Sequence, residues 1–293
     1  IYIYGEGWDF GEVAKNARGV NASQLNIGGT GIGVFNDRLR DAVRGGNPFD
    51  DPRLQGFSTG LYLDTNAADQ RAEELQLSKL LDYTSWIKVG MAGNLADYQI
   101  INAKGETVDG AHVLYGGVPA GYTRDPQENI VYVSAHDNET LFDAIQLKAS
   151  AGVPLQDRIR MNNLAFSIPM LSQGVPFFHA GDDILRSKSL DKNSYDSGDW
   201  YNQIDWAGAK DNWGIGLPIE GSSNWAIYQP LLADKALAPI QSDILNSNVV
   251  FREFLQIRKS SPLFRLQTAD QVMRMVTFLN NGPDQQLGLI VMR

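Results

Sequence analysis

The sequence lacks cysteine altogether and contains three histidines. The absence of cysteine excludes disulfide bonds, thiolate catalysis and every metal site with cysteine ligands. Because His112, His136 and His179 are spread along the chain, a multi-histidine zinc site is disfavoured as well. No apolar run approaches the ~18 residues of a membrane-spanning helix, so no membrane partner is expected.

Basic residues are also in short supply, with 25 Lys and Arg against 34 Asp and Glu and a net charge of −9. This balance argues against a nucleic-acid partner, because a surface that binds nucleic acid must neutralise phosphates. The 293 residues are 43% hydrophobic and 20% charged, which is ordinary globular composition and excludes a disordered chain. The chain opens on the apolar, β-rich run Ile1–Tyr4 without an initiator Met, so we expect it to be the later part of a longer protein.

Short apolar segments alternate with helix-like segments along the chain. The sequence predicts strands at Ile1–Tyr4, Ile130–Ser134 and Val175–His179. It predicts helices at Phe35–Val43, Asp69–Leu81, Glu139–Lys148, Leu155–Leu171 and Val249–Lys259. Strands separated by helices indicate βα units and a parallel sheet, so the fold class is α/β. Near the end, Gln271–Leu279 and Gln286–Met292 are predicted as strands that begin a small β domain.

Each of the first three strands runs directly into polar residues that include a carboxylate. Glu6 follows the first strand, Asp137 the second and Asp182 the third. Acidic residues delivered at the same end of several parallel strands are typical of barrel enzymes. The alternative is that Asp137 and Asp182 cap the helices that follow them.

Glu6 and Asp137 have surroundings that suit sugar chemistry. Glu6 stands between two glycines with Trp8 two positions later, where an indole of low polarity raises a carboxyl pKa as a general acid requires. The alternative is a turn glutamate in an exposed loop. Asp137 lies between His136 and Asn138, which could both hydrogen-bond sugar hydroxyls. Two facing carboxylates would form a glycosidase-like pair that stabilises an oxocarbenium-like sugar.

Aromatic residues are concentrated in the predicted loops, where they could stack on sugar rings. These residues are Trp8, Phe10, Phe49, Tyr195, Trp200, Trp206 and Trp213. For any one of them, simple packing is the alternative. Motifs of other chemistries are absent, namely the G-x-S-x-G nucleophile elbow, the phosphate loop and the H-E-x-x-H zinc motif. The glycine-rich segment 28–33 is interpreted as a turned loop.

Three segments resemble the pullulanase and limit dextrinase branch of the α-amylase superfamily (glycoside hydrolase family 13). Residues 4–12, Y-G-E-G-W-D-F-G-E, are similar to its general-acid region, and residues 132–141, Y-V-S-A-H-D-N-E-T-L, to the region of its transition-state-stabilising aspartate. Residues 174–182, G-V-P-F-F-H-A-G-D, resemble the last barrel strand and continue into 186–200, R-S-K-S-L-D-K-N-S-Y-D-S-G-D-W. The last run is the most specific, because generic amylases do not share it.

The resemblance implies a role for each matching residue. Glu6 is implied as proton donor and later general base, Asp137 as the stabilising carboxylate and His136 as a donor to the sugar in the cleavage subsite. Trp8, Phe10 and Phe49 are implied on the acceptor side, with Asn138, Lys192 and Tyr195 as further substrate-binding residues. Lys192 stands where relatives often carry arginine, and these two cations differ as hydrogen-bonding groups.

The resemblance also implies the architecture and the reaction. Residues 1–262 would form the second half of a (β/α)8 barrel and residues 263–293 the start of a C-terminal antiparallel β domain. The family's nucleophilic aspartate lies in a motif like F-R-F-D, which this sequence does not contain. We therefore expect that an N-terminal remainder of the same protein supplies it as a partner, and that this segment alone is inactive.

The implied activity is retaining hydrolysis of α-1,6 linkages in branched α-glucans or maltooligosaccharides. No cofactor is required, no metal ligands are predicted, and calcium is left unassigned. The alternatives are an isoamylase-type or α-1,4-acting relative, and a non-catalytic carbohydrate-binding fragment.

Overall fold

The structure, a computed structural model, describes residues 1–293. Eight short strands and eight α-helices are joined by 3₁₀ turns and long loops. The strands are β1 (Tyr4–Gly5), β2 (Gly33–Phe35), β3 (Gln99–Ile101), β4 (Thr107–Asp109), β5 (Leu114–Tyr115), β6 (Val118–Pro119), β7 (Asn129–Val131) and β8 (Val175–Pro176). The helices are α1 (Asp37–Arg44), α2 (Glu73–Met91), α3 (Leu141–Lys148), α4 (Leu155–Leu171), α5 (Asp199–Asn202), α6 (Trp225–Ala233), α7 (Gln241–Ser260) and α8 (Ala269–Met275).

One parallel sheet organises the molecule, with the strand order β1-β2-β7-β8. Gly5 is paired with Val34, Val34 with Asn129 and Ile130 with Val175. Because the strands are parallel, the loops that follow them lie at one edge of the sheet. The α/β class with helices and a parallel sheet is confirmed, while the closed barrel and the C-terminal antiparallel β domain stay predictions.

Strand β1 is shorter and more exposed than its sequence predicts. The prediction places it at Ile1–Tyr4, but pairing begins at Tyr4, and residues 1–4 are all exposed. The sequence does not predict strand β2, because the glycine-rich segment 28–33 indicates only a turn. Gly33 begins this strand, and a side chain there would clash with the phenol of Tyr2. The turn interpretation therefore holds only up to Ile32.

Helix positions agree with the sequence better than helix starts do. The predicted helix over Phe35–Val43 is wrong at its beginning, because Phe35 belongs to β2. Helix α1 starts at Asp37, after Asn36 whose Oδ1 accepts the Leu39 N–H at 3.2 Å. The helices predicted at 69–81 and 249–259 are found at 73–91 and 241–260, whereas 155–171 is found as predicted.

The sequence predicts a strand over residues 271–279, and this prediction is wrong for most of the segment. Residues Ala269–Met275 form α8 instead, with the Thr268 hydroxyl accepting the Gln271 N–H at 3.3 Å. Val272 and Val276 are both buried while Arg274, midway between them, is exposed, which is helical rather than alternating periodicity. Only Thr277–Leu279 is extended, and it pairs with Val291–Arg293 through antiparallel backbone hydrogen bonds.

The main hydrophobic core lies between the sheet and helices α1, α2 and α4. Val272, Val276 and Phe278 of the C-terminal segment belong to this same core. Lys88 of α2 binds the turn that follows Phe278, since its Nζ donates to the Asn280 carbonyl at 2.6 Å. The predicted division of the chain at residue 262 stays a prediction. None of the helices has the length and apolarity needed to cross a lipid bilayer.

Candidate active site

A cleft opens at the carboxyl ends of β1, β2 and β7. Its volume is about 750 Å³, within the roughly 300–1,000 Å³ of ordinary ligand sites. The lining residues are Glu6, Trp8, Asp37, Arg40, Asn47, Pro48, Phe49, Tyr115, Asp137, Asn138, Lys192, Asn193, Glu220 and Gly221. A narrower recess of about 60 Å³ adds Phe35, Arg44, Tyr132, Ala135 and His136. Loops after three neighbouring strands thus converge here with carboxylates, cations and aromatic rings.

Glu6 and Asp137 line the same cleft from the loops after β1 and β7, between which β2 lies in the sheet. Glu6 follows β1 directly and is exposed. The Asp137 carboxylate lies 3.5 Å from His136 Nε2, and both side chains are largely exposed. The capping alternative for Asp137 is wrong, because Thr140 caps α3 and its hydroxyl accepts the Asp143 N–H at 3.1 Å.

Trp8 is held beside Glu6 by a hydrogen bond to α1. Its indole N–H donates to Asp37 Oδ2 at 3.1 Å, and Asp37 also accepts from Gln24 at 3.0 Å and pairs with Arg38. The glycine between Glu6 and Trp8 has φ +77°, and a Cβ there would lie 2.7 Å from Val34. Only glycine therefore allows this loop to pack on β2.

Arg40 is the main cleft residue that sequence reasoning missed. Its Nη1 donates to the Tyr132 hydroxyl at 2.7 Å and its Nε to Asp41 at 2.8 Å. Tyr115 donates to the other Asp41 oxygen at 2.6 Å, and burial followed by this carboxylate raises the pKa of Tyr115. The arrangement fixes a cation in the cleft wall, where it can donate to a hydroxyl or a carboxylate. The signal was available, since polar residues follow β2 as they follow the other strands.

Asp182, the third strand-end carboxylate, serves the interior rather than the cleft. It is buried and accepts the Ser134 hydroxyl at 2.7 and 2.8 Å and the His179 N–H at 3.0 Å. Burial raises the pKa of Asp182 to about 6. It therefore joins the loop after β8 to the end of β7, from which the Asp137 loop departs.

The remaining predicted substrate-binding residues divide into two groups. Phe49, Asn138 and Lys192 line the cleft, and His136 lines its narrow recess. Phe10 and Tyr195 are strongly exposed and lie outside the lining. No three His, Cys, Asp or Glu side chains come together in a geometry that could hold a metal ion.

The chain is similar to known proteins over its whole length. The family of alpha-1,6-glucosidases, pullulanase-type, C-terminal, matches residues 208–293. The chain is 52% identical over 295 residues to pullulanase 1, chloroplastic, of Arabidopsis thaliana, covering all of this chain and 31% of that protein. It is 41% identical over 298 residues to a pullulanase of Klebsiella pneumoniae, covering all of this chain and 27% of that protein.

Solved structures agree with these relatives. The structure of Klebsiella pneumoniae pullulanase complexed with maltotriose has a TM-score of 0.93 and 40% identity, and it covers 100% of this chain and 28% of that chain. Pullulanase from Bacillus acidopullulyticus has a TM-score of 0.65 and 28% identity, and it covers 100% of this chain and 26% of that chain. The chain thus spans less than a third of the length of these relatives.

Proposed function

We propose that this chain forms part of the catalytic site of a debranching hydrolase. It is related over its whole length to pullulanases of a plant and of bacteria. The reaction is hydrolysis of α-1,6 branch linkages in pullulan, limit dextrins and starch- or glycogen-type glucans. The observation that carries this proposal is the presence of Glu6 and Asp137 in one cleft beside Trp8 and Phe49. Because the chain spans 31% of its plant relative, the activity belongs to a longer protein.

Glu6 acts in this proposal as the general acid and then as the general base. It would protonate the glycosidic oxygen as the bond breaks and later remove a proton from the incoming water. Its place at the end of β1 supports the role, since the carboxylate reaches the cleft from the sheet edge where such residues stand. Trp8 adds an aromatic face next to it on the same loop.

Asp137 stabilises the positive charge that develops on the sugar ring in the transition state. It is an exposed carboxylate on a short loop and takes no part in capping α3, which leaves it available to the substrate. His136 and Arg40 can donate hydrogen bonds to sugar hydroxyls or to the carboxylates around them. Phe49 and Lys192 extend the contact surface along the cleft.

The nucleophile of the double displacement lies, in this proposal, on a segment that this chain does not contain. A retaining enzyme needs a carboxylate about 5–5.5 Å from its acid, on the opposite side of the bond to be cleaved. The sequence lacks the F-R-F-D-like motif that carries this aspartate in relatives. We therefore expect the chain alone to bind maltooligosaccharides without hydrolysing them.

The test compares the chain alone with a longer protein that joins it to the segment bearing the nucleophile. We expect release of reducing sugar from pullulan only by the longer protein, with retention of anomeric configuration by NMR. Glu6→Gln in the longer protein should lower turnover by at least the ~10²–10⁴-fold of general acid catalysis while leaving pullulan binding intact. Near-normal turnover by this variant would remove Glu6 from the role.

Substrate choice separates the related alternatives. A pullulanase-type enzyme should cleave pullulan, whereas an isoamylase-type enzyme should prefer glycogen and an α-1,4-acting enzyme should shorten linear maltooligosaccharides. Sugar binding without turnover by the longer protein would favour a carbohydrate-binding role instead.

A further inference from the structure

The loop that carries Asp137 depends on side chains for its shape. Residues 135–139 take part in no backbone–backbone hydrogen bond, and Asn138 has a φ of +66°. The Asp137 side chain is 71% exposed, and the His136 ring beside it is 79% exposed. The direction of the carboxylate is therefore set by the backbone on either side of it.

One buried lysine holds the carbonyl groups of the two residues that flank Asp137. Lys188 is 1% exposed, and its Nζ donates to the carbonyl of Asn138 at 2.9 Å and to that of His136 at 3.3 Å. These carbonyls flank Asp137 in the chain. An ammonium group suits this position, because it is a compact charge with three donors that can serve two carbonyls at once.

Helix α3 fixes Lys188 from the other side. Asp143, in the first turn of α3, is fully buried, and its Oδ2 accepts the Lys188 N–H at 2.7 Å and the Leu190 N–H at 3.3 Å. Its Oδ1 accepts the Ser187 hydroxyl at 2.5 Å. The attraction between the opposite charges of Asp143 and Lys188 also offsets part of the desolvation free energy that burying both groups costs.

We propose that Lys188 is a positioning residue that aims the Asp137 carboxylate into the cleft. The inference rests on the proposed function for the role of Asp137, but not for the anchoring of the loop. Lys188 touches no substrate and acts through two carbonyl groups. Because reacting groups must be held to within about 0.5 Å of their productive positions, loss of this anchor affects turnover more than substrate binding.

The test uses Lys188→Met, which keeps a long apolar side chain but removes the donor. Its matched control is Lys88→Met, because Lys88 is also buried and donates to the Asn280 carbonyl and to Asn281 Oδ1, in a turn outside the cleft. Both variants leave two partly buried acceptors unpaired, so both should lower the melting temperature by similar amounts. A merely structural role for Lys188 predicts that the two variants behave alike in every other respect.

Two further measurements distinguish the variants. In this chain, the backbone amide order parameters of residues 136–138, measured by NMR relaxation, should fall from about 0.85 to below about 0.6 in Lys188→Met and stay unchanged in Lys88→Met. In the longer protein, Lys188→Met should lower kcat on pullulan by roughly 10–100-fold with KM changed much less, and Lys88→Met should keep both. Unchanged order parameters, or equal kcat values in the two variants, would overturn the proposal.

The two arms also separate this inference from the proposed function. Absence of pullulan hydrolysis by the unaltered longer protein would refute the function, while the order parameters would still decide whether Lys188 anchors the loop. Should Lys188→Met fail to fold, Lys188→Arg keeps the charge but replaces the compact ammonium with a planar fork. We then expect lower order parameters at 136–138 and lower kcat at a near-normal melting temperature, and wild-type values of both would overturn the proposal.

Discussion

Trp8 combines two functions in one side chain. Its indole N–H donates a hydrogen bond to Asp37, and the side chain lines the cleft together with Glu6. The hydrogen bond occupies the polar N–H and holds the indole in the cleft wall. Stability and ligand binding can therefore be separated by different substitutions at this one position.

Trp8→Ala should weaken maltotriose binding roughly two- to twelvefold, because an aromatic contact of this kind contributes ~0.5–1.5 kcal/mol. Trp8→Phe keeps an aromatic ring but loses the bond to Asp37, so we expect near-normal affinity with a loss of unfolding free energy of about 1–3 kcal/mol. Titration calorimetry and urea unfolding measure the two effects. Trp206→Ala, at an exposed tryptophan outside the cleft lining, is the control and should change neither.

His179 should remain neutral across the physiological range. Burial, followed by the adjacent Arg186, lowers its pKa to about 3, and Arg186 Nη1 lies 3.1 Å from His179 Nε2, which must accept because a guanidinium has no lone pair to offer. Between pH ~3 and the ordinary value of ~6.5 the unfolded chain binds a proton that the folded chain refuses, so this group lowers stability as the pH falls through that window. NMR titration of the ring should show no step above pH 4, and a midpoint near 6.5 would contradict the assignment.

At the scale of elements, α3 supports the cleft from both of its ends. At its N-terminus Asp143 holds the segment of Lys188 beneath the Asp137 loop. At its C-terminus the buried Lys148 Nζ donates to the carbonyls of Gly45 and Leu54, at the two ends of the loop that carries Phe49. The distance between these two cleft loops is thus fixed by the length of one short helix.

Helix α8 offers a direct test of periodicity against the strand that its sequence predicts. Val272 is fully buried, so Val272→Ala should reduce the unfolding free energy by about 2 kcal/mol. Met273 is exposed, and Met273→Ala should change it by less than ~0.5 kcal/mol. Chemical denaturation measures both. Arg274→Ala should likewise change the unfolding free energy by less than ~0.5 kcal/mol, because Arg274 is exposed on the helix, whereas an alternating strand would bury it on the same face as Val272.

At the scale of the whole molecule, the sequence predicts the α/β class and the parallel sheet but not every strand. The segments ending at Glu6 and Asp137 were recognisable because apolar runs change abruptly to polar residues. The sequence does not reveal strand β2, since three residues after a glycine-rich turn show no periodicity of their own. Without that strand, nothing in the sequence marks Arg40 as a residue of the cleft. The sequence also does not predict that Phe10 and Tyr195 lie exposed outside the cleft lining. Nothing local in a loop sequence fixes the direction of a side chain.

The bond from Lys88 to the turn at Asn280 and Asn281 has a consequence for biosynthesis. The ammonium and its acceptors are separated by 192 and 193 residues. While the chain emerges from the ribosome, α2 can form early, but Lys88 finds these two acceptors only after the turn at Asn280 and Asn281 has left the exit tunnel. Val272, Val276 and Phe278 of the main core emerge just before that turn, so a nascent chain stalled before Val272 should remain sensitive to protease.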